Sequence, residues 1–346
     1  MRNIQRMARK ARANSVRFRP HFKTHQSAQI GALLRDAGAT NITVSSLEMA
    51  RYFANYGWND ITVAFPVNIL EIQKINTLAE QIQLNLLVES KEVVQFLGRN
   101  LTSSVDAWIK IDVGSKRTGI PYDRADKVTE LAREIESIDK IHFAGLLTHA
   151  GHTYDAKSLK EIQQIHDHSV SVLNQLRGHL QETSFSSIQL SIGDTPSCST
   201  VRDFSGVDEI RPGTFVFYDL AHWDIGACLE EDIGMAVACP VVAKHPERKE
   251  LIIYGGAIHF SKDSLLRNGI QTYGYLAPLV STGWGALRED CYLCSLSQEH
   301  GIVKVNDALI EEIKVGDIIA VLPVHCCLTA NLHRKFVTTE GEQITY

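Results

Sequence analysis

Three stretches of this chain hold residue types that can do chemistry. In Arg19-Pro20-His21-Phe22-Lys23-Thr24-His25 a single lysine sits among other basic groups. Desolvation and neighbouring cations both lower a lysine's pKa, and an unprotonated amine attacks carbonyls, so Lys23 is a candidate for a covalent imine. The competing reading is a solvated lysine in a basic segment. In Ser191-Ile192-Gly193-Asp194-Thr195-Pro196-Ser197, backbone N–H groups and the Thr195 hydroxyl can cradle a phosphate, although many such loops hold nothing. Glu209-Ile210-Arg211-Pro212-Gly213-Thr214 follows a further strand, and Gly213 permits close backbone approach. In Pro323-Val324-His325-Cys326-Cys327-Leu328-Thr329, His325 and Cys327 stand two apart, which on an extended strand puts them on one face. Imidazole plus thiolate favours Zn²⁺ over harder ions, and two protein ligands leave positions open for water or substrate. Two buried strand residues would look the same. Cys291 and Cys294 would complete a four-ligand structural zinc site with them.

The elements that must position these residues alternate between strand and helix. Eight short apolar runs read as strands: 16–22, 41–45, 60–65, 84–88, 105–111, 142–148, 188–192 and 209–218, with helical spacing between most of them. A continuous apolar run is the signature of a parallel strand covered on both faces. Eight with helical crossovers are what a (β/α)8 barrel requires, a doubly wound open sheet being the competitor. The polar clusters, including Arg117, His149 to Tyr154 and Tyr218-Asp219, fall after the strands, at the catalytic end of such a barrel. Beyond Leu220 the runs 235–244, 250–254, 301–305 and 317–322 are β-like and helical periodicity is scarce. The expected organisation is therefore a barrel over residues 1–220 and a mostly antiparallel β domain over 221–346 that carries His325 and Cys327.

Composition narrows the classes. The chain has 346 residues, 44% hydrophobic and 22% charged, with a net charge of −5, which gives no basic excess for nucleic acid. No apolar run approaches a membrane span, and Met1–Arg19 lacks the apolar stretch of a signal peptide; a transit peptide is the competing reading there. Seven cysteines, an odd count, argue for free thiols and a cytoplasmic home.

Taken together, the segments resemble the fold-type III pyridoxal-phosphate enzymes (the alanine racemase-like barrel), and within them the D-threonine aldolase and eukaryotic-type D-serine dehydratase group. The matching segments, in the family's order, are Arg19-Pro20-His21-x-Lys23-Thr24-His25, Asp112-Val113-Gly114-x-x-Arg117-Thr118-Gly119, Gly151-His152-Thr153-Tyr154, Gly193-x-Thr195-Pro196, Arg211-Pro212-Gly213-Thr214, Glu299-His300-Gly301 and His325-x-Cys327-Leu328-Thr329. The resemblance implies that Lys23 binds pyridoxal 5'-phosphate covalently and that Arg117 contacts its ring oxygen. It sets Arg211 against the pyridine nitrogen. Gly193, Thr195, Gly213 and Thr214 would hold the phosphate, Tyr154 would line the substrate side, and Tyr218 would join the cofactor-binding set. His325 and Cys327 would bind Zn²⁺ or Mn²⁺. A homodimer is the implied assembly.

The implied activity is a lyase acting on D-3-hydroxy amino acids by dehydration, as in D-serine dehydratase. Retro-aldol cleavage of the D-threonine aldolase kind is the alternative, followed by an amino-acid racemase and a non-catalytic pyridoxal-phosphate carrier. Two departures stand out. The family has a further stretch before its first helix, whereas this sequence starts inside that helix. Asp194 stands where the family has a small residue, and a carboxylate beside a phosphate is unfavourable unless it points away. His259, in Gly255-Gly256-Ala257-Ile258-His259, is unusual as well, with no role assigned.

Overall fold

Runs without polar alternation become strands covered on both faces. Gln83–Val88 buries five of its six residues, and Val105–Asp112 six of its eight. The computed structural model describes residues 1–345 and divides into two compact units, Met1–Gly213 and Thr214–Tyr346.

The first unit is the expected barrel. Its strands are β1 (Arg17–Phe18), β2 (Ile42–Val44), β3 (Asp60–Pro66), β4 (Gln83–Val88), β5 (Val105–Asp112), β6 (Ile141–Thr148), β7 (Gln189–Ile192) and β8 (Glu209–Ile210). All pair in parallel, in the order β1-β8-β7-β6-β5-β4-β3-β2. The seam between β1 and β2 is closed by a single bridge, His21 to Thr43, in which Phe22 N–H donates to the Thr43 carbonyl at 2.8 Å and Thr43 N–H to the Pro20 carbonyl at 2.9 Å. β1 and β8 are shorter than their apolar runs because Pro20 and Pro212 lack the N–H a ladder needs.

Helices follow the strands. Those beginning at Leu47, Lys91 and Leu159 start after Ser46, Ser90 and Ser158, whose hydroxyls each accept the N–H three residues on. Leu87, Trp108 and Leu147 pack together, with Trp108 Nε1 donating to Asn85 Oδ1 at 3.1 Å.

The second unit is a closed six-stranded antiparallel barrel. Its strands are β9 (Val237–His245), β10 (Glu250–Tyr254), β11 (Gly274–Ala277), β12 (Arg288–Leu296), β13 (His300–Lys304) and β14 (Ile318–Pro323), in the order β9-β10-β13-β12-β11-β14. Cys239, Cys291, Leu293, Val303 and Val321 lie in its core. No helix among the described residues is long and apolar enough to cross a membrane.

Arg19 is 1% exposed, its Nε 2.6 Å from Glu209 on β8 and its guanidinium nitrogens 2.6 and 3.1 Å from Asp60 on β3. Glu209 is wholly buried and also accepts from Ser191 Oγ at 2.6 Å. Removing one partner of a buried ion pair leaves an uncompensated charge, so Arg19→Ala is expected to cost about 3–5 kcal/mol. Urea denaturation, followed through the unfolding transition of the barrel, measures this; a loss under about 1 kcal/mol would mean an exposed-type pair that does not hold the seam.

Candidate active site

Gly213 explains how two loops of the barrel come together. A Cβ on Gly213 would lie 3.1 Å from both the Cβ and the carbonyl oxygen of His21, so a side chain there would crowd the first strand. Its N–H donates to Thr195 Oγ1 at 3.2 Å, and Thr195 N–H donates to the Tyr154 hydroxyl at 3.2 Å. Gly193 is confined in the same way, because a Cβ there would meet Arg211 Cβ at 3.0 Å and its carbonyl oxygen at 3.1 Å. Tyr154, Gly193, Thr195, Arg211 and Gly213 are therefore brought to one place.

Asp194 is engaged by its own loop. It caps the short helix Thr195–Thr200, with Oδ1 accepting from Ser197 N–H at 2.7 Å and from Thr153 Oγ1 at 3.0 Å. Burial pushes its pKa up against those hydrogen bonds.

The loop bearing Arg117 is built by Asp112, whose Oδ1 accepts from Gly114 N–H at 2.9 Å and Lys116 N–H at 3.0 Å. Gly119 takes φ +111°, and a Cβ there would sit 2.8 Å from Asp112 N. Arg117 and Lys23 are exposed, so the burial half of the argument for a reactive Lys23 does not hold. The Lys23 and Arg211 charges act on His21, and the Lys23, Arg117 and Lys110 charges on His149.

His21, His149 and Lys110 carry no assignment from the sequence. Burial first, then these cations, hold His21 and His149 well below the usual histidine range. His149 hydrogen-bonds the Gly193 carbonyl through Nδ1, which puts the proton of the neutral ring there. Lys110 Nζ donates to the Ile111 carbonyl at 2.8 Å, and burial followed by the Arg211 charge lowers its pKa to about 8. Arg211 donates to Ser191 Oγ and, at 2.5 Å, to the Thr148 carbonyl; burial lowers it to about 10, which leaves it charged at neutral pH. The wall thus presents cations over neutral imidazoles, a setting for a dianionic ligand. A phosphate-bearing aldehyde fits this donor set.

In the second unit, Thr214 and Tyr218 are buried, and Tyr218 adopts φ +51° and packs against His222. The strand expected through residue 218 ends at Ile210; Thr214–Val216 is a 3-10 turn instead. His325 and Cys327 are not on a strand either. Strand β14 stops at Pro323, His325 is the N-cap of the helix Cys326–His333, and Cys327 is in that helix's first turn. They still meet, by hydrogen bond, because the chain turns there. Burial opposes a charge on His325, but hydrogen bonds to Asp219 and Cys327 outweigh it and raise the imidazole to about 11. A thiol and an imidazole already within bonding distance of each other suit one cation. The four-ligand alternative fails: no group of three or more His, Cys, Asp or Glu that could hold a metal occurs among the described residues. Cys291 is core, and Cys294 Sγ donates to the Ile302 carbonyl at 3.3 Å. His259 Nδ1 accepts from Gly256 N–H at 3.1 Å in a one-turn helix, and its ring lies against His333.

The family profile "Alanine racemase, N-terminal domain" matches residues 1–220. The chain belongs to this family. A second profile, "Putative serine dehydratase domain", matches residues 234–339. Among family relatives, D-threo-3-hydroxyaspartate dehydratase of Delftia sp. (strain HT23) is 29% identical over 337 residues, covering 95% of this chain and 88% of its own. Its solved structure superposes with a TM-score of 0.93 at 27% identity, covering 99% and 93% of the two chains. D-serine dehydratase of Dictyostelium discoideum is 28% identical over 360 residues, covering 96% and 89%. Solved variants of the Delftia enzyme include a histidine-to-alanine form and, two positions on, a cysteine-to-alanine form in the metal-free state.

His25 supplies a test of the barrel's pH response. It is fully buried, its Nδ1 accepts Ser27 N–H at 3.2 Å, its Nε2 has no partner, and burial lowers its pKa to about 3. A histidine depressed on folding takes up its proton more readily in the unfolded chain, so stability is lost as pH falls below the unfolded value and down toward the folded one. Between pH 7 and 5 this one group should remove roughly 2 kcal/mol, from an unfolded pKa of about 6.5. His25→Asn, which keeps an acceptor for Ser27, should lose about that much less than the parent over the same interval in urea denaturation; equal losses would exclude His25 as a source.

Proposed function

We propose that this chain is a pyridoxal-phosphate- and metal-dependent lyase that dehydrates D-3-hydroxy amino acids to 2-oxo acids and ammonia. The observation that carries the reading is the paired donor set His325 and Cys327. A racemase has no use for it, and its spacing equals that of the histidine and cysteine substituted in the Delftia variants. The soft thiolate favours Zn²⁺ over Mn²⁺.

When bound, the cofactor supplies an electron sink for charge developing at the substrate's α-carbon. A metal on His325 and Cys327 supplies Lewis acidity toward the departing 3-hydroxyl. Lys23 Nζ anchors the cofactor and takes the α-proton. Arg117 would contact the ring oxygen, and Arg211 would stand against the pyridine nitrogen. Thr195, Gly213 and Thr214 would hold the phosphate, with Gly193 leaving room for it. Tyr154 would line the substrate side, and Tyr218 would join the cofactor-binding set. A homodimer and a cytoplasmic location complete the reading; seven cysteines with no disulfide among the described residues fit a reducing compartment.

Cofactor-loaded protein given D-serine or D-threo-3-hydroxyaspartate should release ammonia with pyruvate or oxaloacetate, and chelation followed by Zn²⁺ should abolish and restore turnover. Glycine as the product would mean aldol cleavage instead. Borohydride treatment and peptide mapping should label Lys23, and Lys23→Ala should lower kcat at least about 10³-fold, the scale of a lost general base. An unlabelled Lys23 in loaded protein would sink the assignment.

A further inference from the structure

The metal reading leaves a fully buried carboxylate unexplained. Asp219 has 0% exposure. Its Oδ1 accepts from His222 N–H at 3.1 Å and from His222 Nδ1 at 2.5 Å. Its Oδ2 accepts from Cys326 N–H at 2.9 Å and lies 3.2 Å from His325 Nδ1. A carboxylate offers about four lone-pair sites, and these donors fill them, so Asp219 has no oxygen free to ligate a cation.

We infer that Asp219 is the positioning residue of the metal pair, fixing His325 through its ring and Cys327 through the helix turn that carries it. This rests on the assignment of His325 and Cys327 as metal ligands. The ring argument is one of tautomer. With Nδ1–H directed at Asp219, the lone pair of His325 is on Nε2, the nitrogen left to ligate, and the carboxylate makes that nitrogen a stronger base.

The helix argument is one of capping. His325 is the N-cap of Cys326–His333, yet its side chain makes no capping bond. The first N–H groups of a helix need acceptors from outside it. Asp219, more than a hundred residues earlier, accepts the N–H of Cys326 and so holds the turn from which Cys327 projects. His222 holds the carboxylate from the other side, and its Nε2 is 2.8 Å from Thr214 Oγ1.

The experiment uses the full, cofactor-loaded chain stripped of metal, with Zn²⁺ titrated against a chromophoric chelator. The parent should bind Zn²⁺ and His325→Ala should not. Asp219→Asn should weaken binding about 10- to 100-fold, the usual loss for a group that orients a ligand. His222→Asn, whose amide replaces Nδ1–H toward Asp219 and gives up the Thr214 arm, should stay within about 3-fold, well short of that loss. Folded Asp219→Asn with parental Zn²⁺ affinity overturns the inference and leaves the metal assignment standing; a parent that binds no Zn²⁺ overturns both. Should Asp219→Asn fail to fold, ¹⁵N-histidine spectra of the Zn²⁺-loaded parent decide: a proton on His325 Nδ1 supports the role, and ligation through Nδ1 overturns it.

Discussion

The barrel closes at its weakest backbone seam, and a buried charge does much of the closing. Strand β1 is two residues long and meets β2 through one bridge. Arg19, between them, reaches Glu209 on one side of the seam and Asp60 on the other. A buried ion pair adds little net stability relative to an apolar replacement, but its directionality sets which strands lie side by side. Lys23 lies four residues beyond Arg19, just past the bridge. The position of the candidate nucleophile is thus set by an ion pair that takes no part in the chemistry.

The two units solve opposite electrostatic problems. The barrel site gathers Lys23, Lys110, Arg117 and Arg211 and keeps its histidines neutral by burying them. The carboxylates of the same loops, Asp112 and Asp194, accept backbone N–H groups, which leaves a cationic wall suited to a phosphate in a partly desolvated place. In the second unit the sign is reversed. Asp219 is held well below the usual carboxylate range: burial works against it, and the His222 and His325 contacts outweigh burial. With the thiol of Cys327 beside it, that corner favours a cation.

Much of this was legible in the residues, for identifiable reasons. The barrel strands showed because a strand covered on both faces is apolar at every position. β11 and β12 did not show. β12 opens with Arg288-Glu289-Asp290 and buries only Cys291 and Leu293, an alternation that reads as loop when charges lead it. His21, His149 and Asp219 escaped for another reason: nothing in a histidine or aspartate says whether it is buried, and the partners of Asp219 at His325 and Cys326 lie more than a hundred residues away. Spacing placed His325 and Cys327 on one face of a strand, whereas a helix start brings them together.

Asp194 shows how the same charge can be misplaced on paper and well placed in space. Beside a phosphate loop, a carboxylate should repel the ligand. Its oxygen instead takes Ser197 N–H and Thr153 Oγ1. The Thr153 bond ties the loop to the turn of Tyr154, whose hydroxyl in turn receives Thr195 N–H. Two bonds of opposite direction therefore join the same pair of segments, and a rotation of either segment breaks at least one. The carboxylate that looked like a flaw in the phosphate site is the brace that holds its shape.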